Sequence, residues 1–193
     1  MAEKRNDKAL NSADLDKEYE NNRRVLMEEL CELLNVYLEI GARGMDKVKV
    51  ANASASFAFL RNVLNEPSKF FSEKVTNDWM NRVKDYANEN KIDFDKAIEK
   101  VTDPAGDIFC QVAPCLFNTN LAVFVHALLS YTWFYEWYKA DSLPNAKELK
   151  PRIVAEIKYL REQVHTVLNE TLEFIVCQGT LQMSLRQQQN IKQ

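Results

Sequence analysis

The hydrophobic positions of this chain recur every three or four residues, which is the spacing of amphipathic helices. The longest series lies near the C-terminus and steps by four and three: Ile153, Ile157, Leu160, Val164, Val167, Thr171, Phe174, Gln178, Leu181 and Leu185. A broader series lies near the N-terminus: Tyr19, Leu26, Leu30, Leu33, Tyr37 and Ile40. The pattern predicts long amphipathic helices over about residues 13–40 and 151–178, ended by Gly41 and Gly179.

Residues 121–138 form the most apolar stretch of the chain, with hydrophobic side chains on almost every side of a predicted helix. Its polar stripe is narrow and consists of Thr119, His126 and Ser130. A helix that is apolar all round lies at the centre of a packed domain or inside a membrane. Because His126, Ser130, Thr132 and Glu136 interrupt this stretch, a membrane span is disfavoured. We therefore expect a central buried helix over about residues 119–140.

Shorter helices are predicted between these long ones. An alanine- and serine-rich run follows a short connector over residues 45–50 and leads into a helix that Pro67 closes. The next helical segment contains Asn77 as a candidate internal cap. Glycine and proline, at 4 and 5 residues, are too scarce for a fold built on many tight turns. The expected fold is an all-α, single-domain, multi-helix bundle around the central helix.

The chain ends and one turn suggest the domain organisation. Residues 1–11 read as a flexible lead-in, residues 12–185 as the helical domain and residues 186–193 as a polar tail. The strongest turn signal is Asp103-Pro104-Ala105-Gly106, which marks a candidate sub-boundary near residues 103–106.

Composition narrows the classes of partner. The net charge of −3 gives no overall basic excess, so a nucleic-acid partner is not favoured, although a local basic patch stays open. The N-terminal residues contain no apolar signal segment. The four cysteines therefore read as buried free thiols of a cytoplasmic, intracellular protein.

Two groups of residues on the apolar helix are candidate functional sites. His126 with Ser130 is the candidate buried polar centre, because His126 is a titratable group among apolar neighbours. Trp133, Trp137 and Tyr138 are the candidate interaction surface, because exposed aromatic residues commonly anchor protein contacts.

Two spacings resemble metal sites but are incomplete. Glu162 and His165 have the Glu-x-x-His spacing of di-iron helical bundles, which also need a second such pair and two further glutamates. Cys110 and Cys115, with His126 and Cys177, would form a zinc site only if the fold brought them together, which the sequence leaves open. We predict no metal and no cofactor.

Residues 53–64, with the sequence ASASFAFLRNVL, resemble the alanine- and serine-rich entry and the Arg-x-x-Leu helix of some phage small terminase subunits. That family consists of helical, ring-forming proteins that recognise DNA for packaging. The resemblance covers one helix, and the aromatic second half of the chain departs from the family pattern. It implies a DNA-packaging or DNA-associated subunit as an alternative function.

The sequence contains no Gly-rich phosphate loop, no G-x-S-x-G elbow and no H-E-x-x-H motif. The prediction is therefore a non-enzymatic helical interaction or assembly protein, a structural subunit of the kind used in oligomers and virus assembly. Its expected partner is another protein, either a second copy of itself or a larger assembly. A helical-bundle enzyme or an apolar-ligand binder is the third hypothesis.

Overall fold

The computed structural model describes residues 11–41, 47–116, 118–139 and 145–191. These ranges are almost entirely helical and contain no strand, so the expected all-α, multi-helix fold is confirmed. No helix in the described part of the chain has both the length and the hydropathy that crossing a bilayer requires. The predicted lead-in lies outside the described residues except for Asn11.

The first long helix, α1, spans Ser12–Gly41, within one residue of the predicted range. Asn11 caps it, because its Oδ1 atom accepts a hydrogen bond from the backbone N–H of Asp14 at 2.9 Å. The fully buried side chains of this helix follow the predicted stripe: Tyr19, Leu26, Leu30 and Leu33. These residues supply one side of the hydrophobic core.

The second helix, α2, spans Lys47–Asn65. The predicted connector over residues 45–50 is therefore wrong for residues 47–50, which form the first turn of this helix. The alternation of lysine and valine there resembles a strand, but Lys47, Val48 and Lys49 are all exposed on the helix. Local alternation over four residues does not outweigh the helical pattern that follows it.

Shorter helices then lead to the apolar helix. They are α3 (Pro67–Phe70), α4 (Glu73–Asn90), α5 (Phe94–Ile98) and α6 (Pro104–Val112), followed by a 3-10 turn at Ala113–Cys115. The break in the α3–α4 segment lies at Ser72, whose side chain accepts from the Val75 N–H, and not at Asn77 as the sequence suggested. The Ser72 hydroxyl, one turn before the apolar series, caps this helix in place of the Asn77 amide.

The turn at residues 103–106 is the start of α6. The Asp103 side chain accepts a hydrogen bond from the Gly106 N–H at 2.6 Å and caps the helix. A β-carbon at Gly106 would lie 2.7 Å from Thr102 Cγ2, so only glycine fits this close approach. The helix contacts α2 and α4, which precede the turn, as well as α7, which follows it. The domain limits stay a prediction.

The apolar helix, α7, spans Thr119–Lys139 and contacts α1, α3, α6 and α8. Its buried side chains include Leu121, Leu128 and Leu129. Its first half nevertheless has an exposed stripe that includes Val123, at 59% exposure. The helix is therefore packed on several sides but not on all of them.

The last helix, α8, spans Ala146–Ile191 without interruption. The predicted end at Gly179 is wrong: the residue lies inside the helix without a positive φ angle. Glycine costs only about 1 kcal/mol inside a helix, which the helix formers around it offset. The backbone of the predicted polar tail is likewise helical up to Ile191, while the side chains of residues 180–191 lie outside the described structure.

Helices α1 and α8 run in the same direction. Asn22 Oδ1 accepts a hydrogen bond from Arg161 Nη1 at 2.9 Å, and Glu29 Oε1 lies 2.7 Å from His165 Nδ1, so residue numbers rise together along both helices. The helices contain 30 and 46 residues, which correspond to about 45 and 69 Å. Counting on from Glu29 and His165, α1 ends opposite about residue 177. The last part of α8 therefore extends beyond α1.

Candidate interaction surface

The heptad seam of α8 passes from the core to the protein surface. We use this name for the residues that step by four and three from Ile153 to Leu185. Ile153, Ile157, Leu160 and Val164 are buried, while Val167 and Thr171 are partly buried. Phe174 and Gln178 are exposed, and Phe174 shows 58% of its surface. One hydrophobic pattern therefore has two different environments.

The geometry of the α-helix explains this change. A series that repeats every seven residues drifts by about 20° per heptad around a straight helix, because 3.6 residues per turn do not divide evenly into seven. From Ile157 to Gln178 the seam therefore turns by about 60° away from the face that α1 covers. The buried face shifts accordingly to Leu168 and Ile175, which pack against the core. This drift carries the seam away from the face that α1 covers.

The exposed part of α8 is strongly apolar. Leu172, Phe174 and Val176 are 36%, 58% and 67% exposed, and Cys177 is exposed beside them. A shallow groove of about 460 Å³ lies on this segment, lined by Asn169, Leu172, Glu173, Val176 and Cys177. Leu172 and Val176 lie one turn apart on this groove, whereas Phe174 lies on the opposite side of the helix, because successive residues are about 100° apart. Exposed apolar residues of this kind mark contact sites for proteins. We call residues 171–178, with the helical backbone that continues them to Ile191, the C-terminal surface.

The predicted interaction surface at the end of α7 is wrong for Trp133. Its side chain is 1% exposed, its Nε1 donates to Thr76 Oγ1 at 3.1 Å, and its ring stacks on Trp137 with centroids 5.6 Å apart. Trp137 and Tyr138 are partly buried and pack against the core. Aromatic residues at this spacing form core when a neighbouring helix covers them, and α4 supplies both Thr76 and Trp79 here.

The predicted buried polar centre is also wrong, because His126 is exposed and Ser130 is partly buried. The His126 ring contacts Phe109 of α6 edge to face, with centroids 4.9 Å apart. The helix turns its narrow polar stripe toward solvent, which satisfies the imidazole without a buried partner. The sequence shows the stripe but not the direction in which it points.

An aromatic pair with a polar contact lies between α1 and α7. The rings of Tyr19 and Tyr135 stack with centroids 3.5 Å apart, and the Tyr135 hydroxyl donates to Asp16 Oδ1. Burial raises the pKa of both tyrosines well above the usual value, and the hydrogen bond to Asp16 raises that of Tyr135 further. Tyr19 belongs to the predicted α1 stripe, but its partner, 116 positions later, carries no sequence signal.

His165 pairs with α1 and not with Glu162 of its own helix. Its Nδ1 lies 2.7 Å from Glu29 Oε1, and its Nε2 lies 3.0 Å from Asn169 Nδ2. A neutral imidazole with its proton on Nδ1 satisfies both contacts, donating to the carboxylate and accepting from the amide. The residue joins α8 to α1, and the described side chains include no group of three or more His, Cys, Asp or Glu placed to hold a metal ion.

The cysteines depart from the predicted buried thiols. Cys110 and Cys177 are exposed and Cys31 is partly buried, all three as free thiols. The Sγ atom of Cys31 accepts a hydrogen bond from Arg61 Nη2 at 3.2 Å. The side chain of Cys115 lies outside the described residues, and so does the part of the zinc-site hypothesis that depends on it.

A second groove, of about 710 Å³, lies between α1 and α2 and is lined by Arg23, Arg24 and Arg61 together with Glu20 and Glu28. Two of the arginines pair with these carboxylates: Arg23 lies 2.5 Å from Glu20 and Arg24 lies 2.9 Å from Glu28. The charges therefore largely balance within the groove. Arg61 is the arginine of the groove that pairs with neither glutamate, and its Nη2 donates to Cys31 Sγ.

Comparisons with protein-family models, with curated proteins and with solved structures found no match for this chain.

Proposed function

We propose that this protein is a non-enzymatic assembly protein that associates with a second copy of itself through the C-terminal surface of α8. The observation that carries the proposal is the exposure of Phe174 on a seam whose earlier members, such as Ile157 and Val164, are completely buried. Burying an exposed phenylalanine contributes about 1.5–3 kcal/mol. An exposed continuation of a core-forming pattern is typical of a helix that completes its packing with a partner.

The charge distribution supports a second copy as this partner. No charged residue occurs between Phe174 and Leu185, so two copies of this segment meet without electrostatic repulsion. Recognition of a different protein through charged groups would require complementary charged residues on this surface. The segment between Phe174 and Leu185 contains no such residue, so recognition through it is apolar.

The test is the mass of the protein in solution, measured by light scattering or sedimentation over a range of concentrations. We expect the unmodified protein to form an oligomer, and Phe174→Glu to shift it to a monomer by placing a charge in the contact. The matched control is Tyr159→Glu, because Tyr159 is an aromatic residue of the same helix with the same 58% exposure but lies off the seam.

The control variant should remain an oligomer with a helical spectrum like that of the unmodified protein. A monomeric unmodified protein at high concentration would overturn the proposal, as would equal dissociation of the Phe174 and Tyr159 variants. DNA association, implied by the resemblance of residues 53–64, is a separate hypothesis. A mobility shift that weakens steeply with salt would favour it.

A reducing, intracellular location belongs to the same proposal. Cys110 and Cys177 are exposed free thiols. Exposed thiols oxidise readily in secreted proteins, whereas the cytosol keeps them reduced.

A further inference from the structure

We infer that the two copies of α8 pair in parallel and in register, so that each residue of the seam meets the same residue of the second copy. The inference rests on the proposed self-association and adds its geometry. It follows from the order of polar and apolar layers along the exposed part of the seam.

From Thr171 onward the seam alternates two kinds of position. In heptad notation, the a positions are Thr171, Gln178 and Leu185, and the d positions are Phe174 and Leu181. The backbone is helical through all of them. The first two a positions are polar, whereas both d positions are apolar.

In parallel, in-register pairing, each layer contains the same residue from both copies. Position a faces a of the partner and d faces d, so that Gln178 lies beside its counterpart and the two amides form a hydrogen bond. Phe174 forms an apolar layer next to this polar one. A single polar residue at an a position is a known device for fixing register in this way.

Antiparallel pairing would place a positions against d positions. Gln178 would then face an apolar d position such as Phe174, and its amide would be buried without a partner at a cost of about 1–3 kcal/mol for each copy. The opposing effect is the repulsion between parallel helix dipoles, which is weak because the partial charges at solvated helix ends are screened. The cost of the unpaired amides is larger, so the parallel arrangement is favoured.

The position of the bundle permits this arrangement. Helix α8 extends about 21 Å beyond the residue opposite the end of α1, taking residues 178–191 at 1.5 Å each. The seam also turns about 60° away from the face that α1 covers. The bundle covers the flank of the seam at Leu168 and Ile175, while Phe174 and Gln178 are exposed. A second copy can therefore approach the seam from the side that the bundle leaves open.

Disulfide cross-linking tests the register. Cys177 is first replaced by serine, and Gln178→Cys and Phe174→Cys are made separately in that background. Two cysteines form a disulfide when their β-carbons lie about 3.5–4.5 Å apart, which in-register facing positions allow and antiparallel a-to-d layers do not. Both variants should give at least about fivefold more covalent dimer on mild oxidation than the parent, as facing geometry requires.

The matched control is Glu173→Cys in the same background, because Glu173 is exposed on the same turn but lies outside the seam. It should form about as much covalent dimer on mild oxidation as the Cys177→Ser parent, in which any cross-linking comes from the remaining native cysteines. An oligomer that cross-links at neither position 174 nor 178 would overturn the parallel register while leaving self-association intact. If the parent protein is a monomer, the proposed function itself fails.

Discussion

The first and second halves of α8 share one hydrophobic pattern and differ in everything that surrounds it. In the first half, Ile157 and Val164 are completely buried against α1 and α7. In the second half, Phe174 continues the same steps of four and three but lies open to solvent. The difference shows that a heptad pattern predicts a helix and a preferred face, while a partner must still be present to cover that face.

The comparison also separates two roles for one helix. The first half contributes to the stability of the bundle, and the second half presents an apolar surface beyond it. Substitutions in the two halves should therefore act on different measurements.

The largest difference is expected in the free energy of unfolding. Ile157→Ala should lower it by about 2–5 kcal/mol, because it removes a fully buried side chain from the core. Phe174→Ala should lower it by less than about 1 kcal/mol when measured on the monomer at low concentration, because the side chain is already exposed. Urea unfolding measures both, and equal losses would show that the two halves are packed alike.

The polar contact between α1 and the first half of α8 should have a smaller effect. Arg161→Ala leaves the side-chain amide oxygen of the buried Asn22 without its donor, which should lower the free energy of unfolding by about 1–3 kcal/mol. Lys158→Ala is the matched control, because it removes one positive charge from an exposed position of the same half. A similar loss from both variants would assign the effect to net charge and not to Asn22.

Alkaline pH should destabilise the bundle without acting on the exposed half. The folded-state pKa of Tyr19 is raised above the unfolded value of about 10 by burial, so its stabilising effect is complete below about pH 10 and is lost as pH rises further. Each pH unit above this value should cost about 1.4 kcal/mol for this group. Tyr19→Phe should flatten the pH dependence of the unfolding free energy, and an unchanged slope would contradict the buried pair.

The smallest effect is expected at Gly179. A β-carbon there would meet no atom within 4 Å, so Gly179→Ala should favour the helix by about 0.5–1 kcal/mol. The gain should appear as slower amide hydrogen exchange in the second half of α8, with urea unfolding of the bundle little changed. A gain in bundle stability of the same size would show that the two halves unfold as one unit.

The sequence predicted the helices better than the directions in which they face. The stripes of α1 and α8 are strong because apolar residues repeat over many turns, and both helices include the predicted ranges, although α8 extends beyond its range at both ends. The wrong predictions concern single residues. Gly179 was expected to end a helix that continues through it, since a local signal is weaker than the pattern on both sides.

The sites were harder to predict because side-chain surroundings depend on distant elements. Trp133 is buried by α4, and His126 is exposed because its stripe faces outward. The pairs Tyr19 with Tyr135 and Glu29 with His165 join residues more than 100 positions apart, and no local spacing indicates them. The exposed seam was visible as a pattern, but its exposure required the structure of α1 beside it.

In the proposed self-associated form, the continuity of α8 through Gly179 ties the thermal stability of the bundle to protein concentration. Because one unbroken helix belongs both to the core and to the C-terminal surface, a chain that unfolds must also leave its partner. Mass action then adds about 2.7 kcal/mol to the apparent stability at a protomer concentration about 100 times the dissociation constant. The melting temperature should therefore rise with concentration, and a break in the helix at residue 179 would remove that dependence.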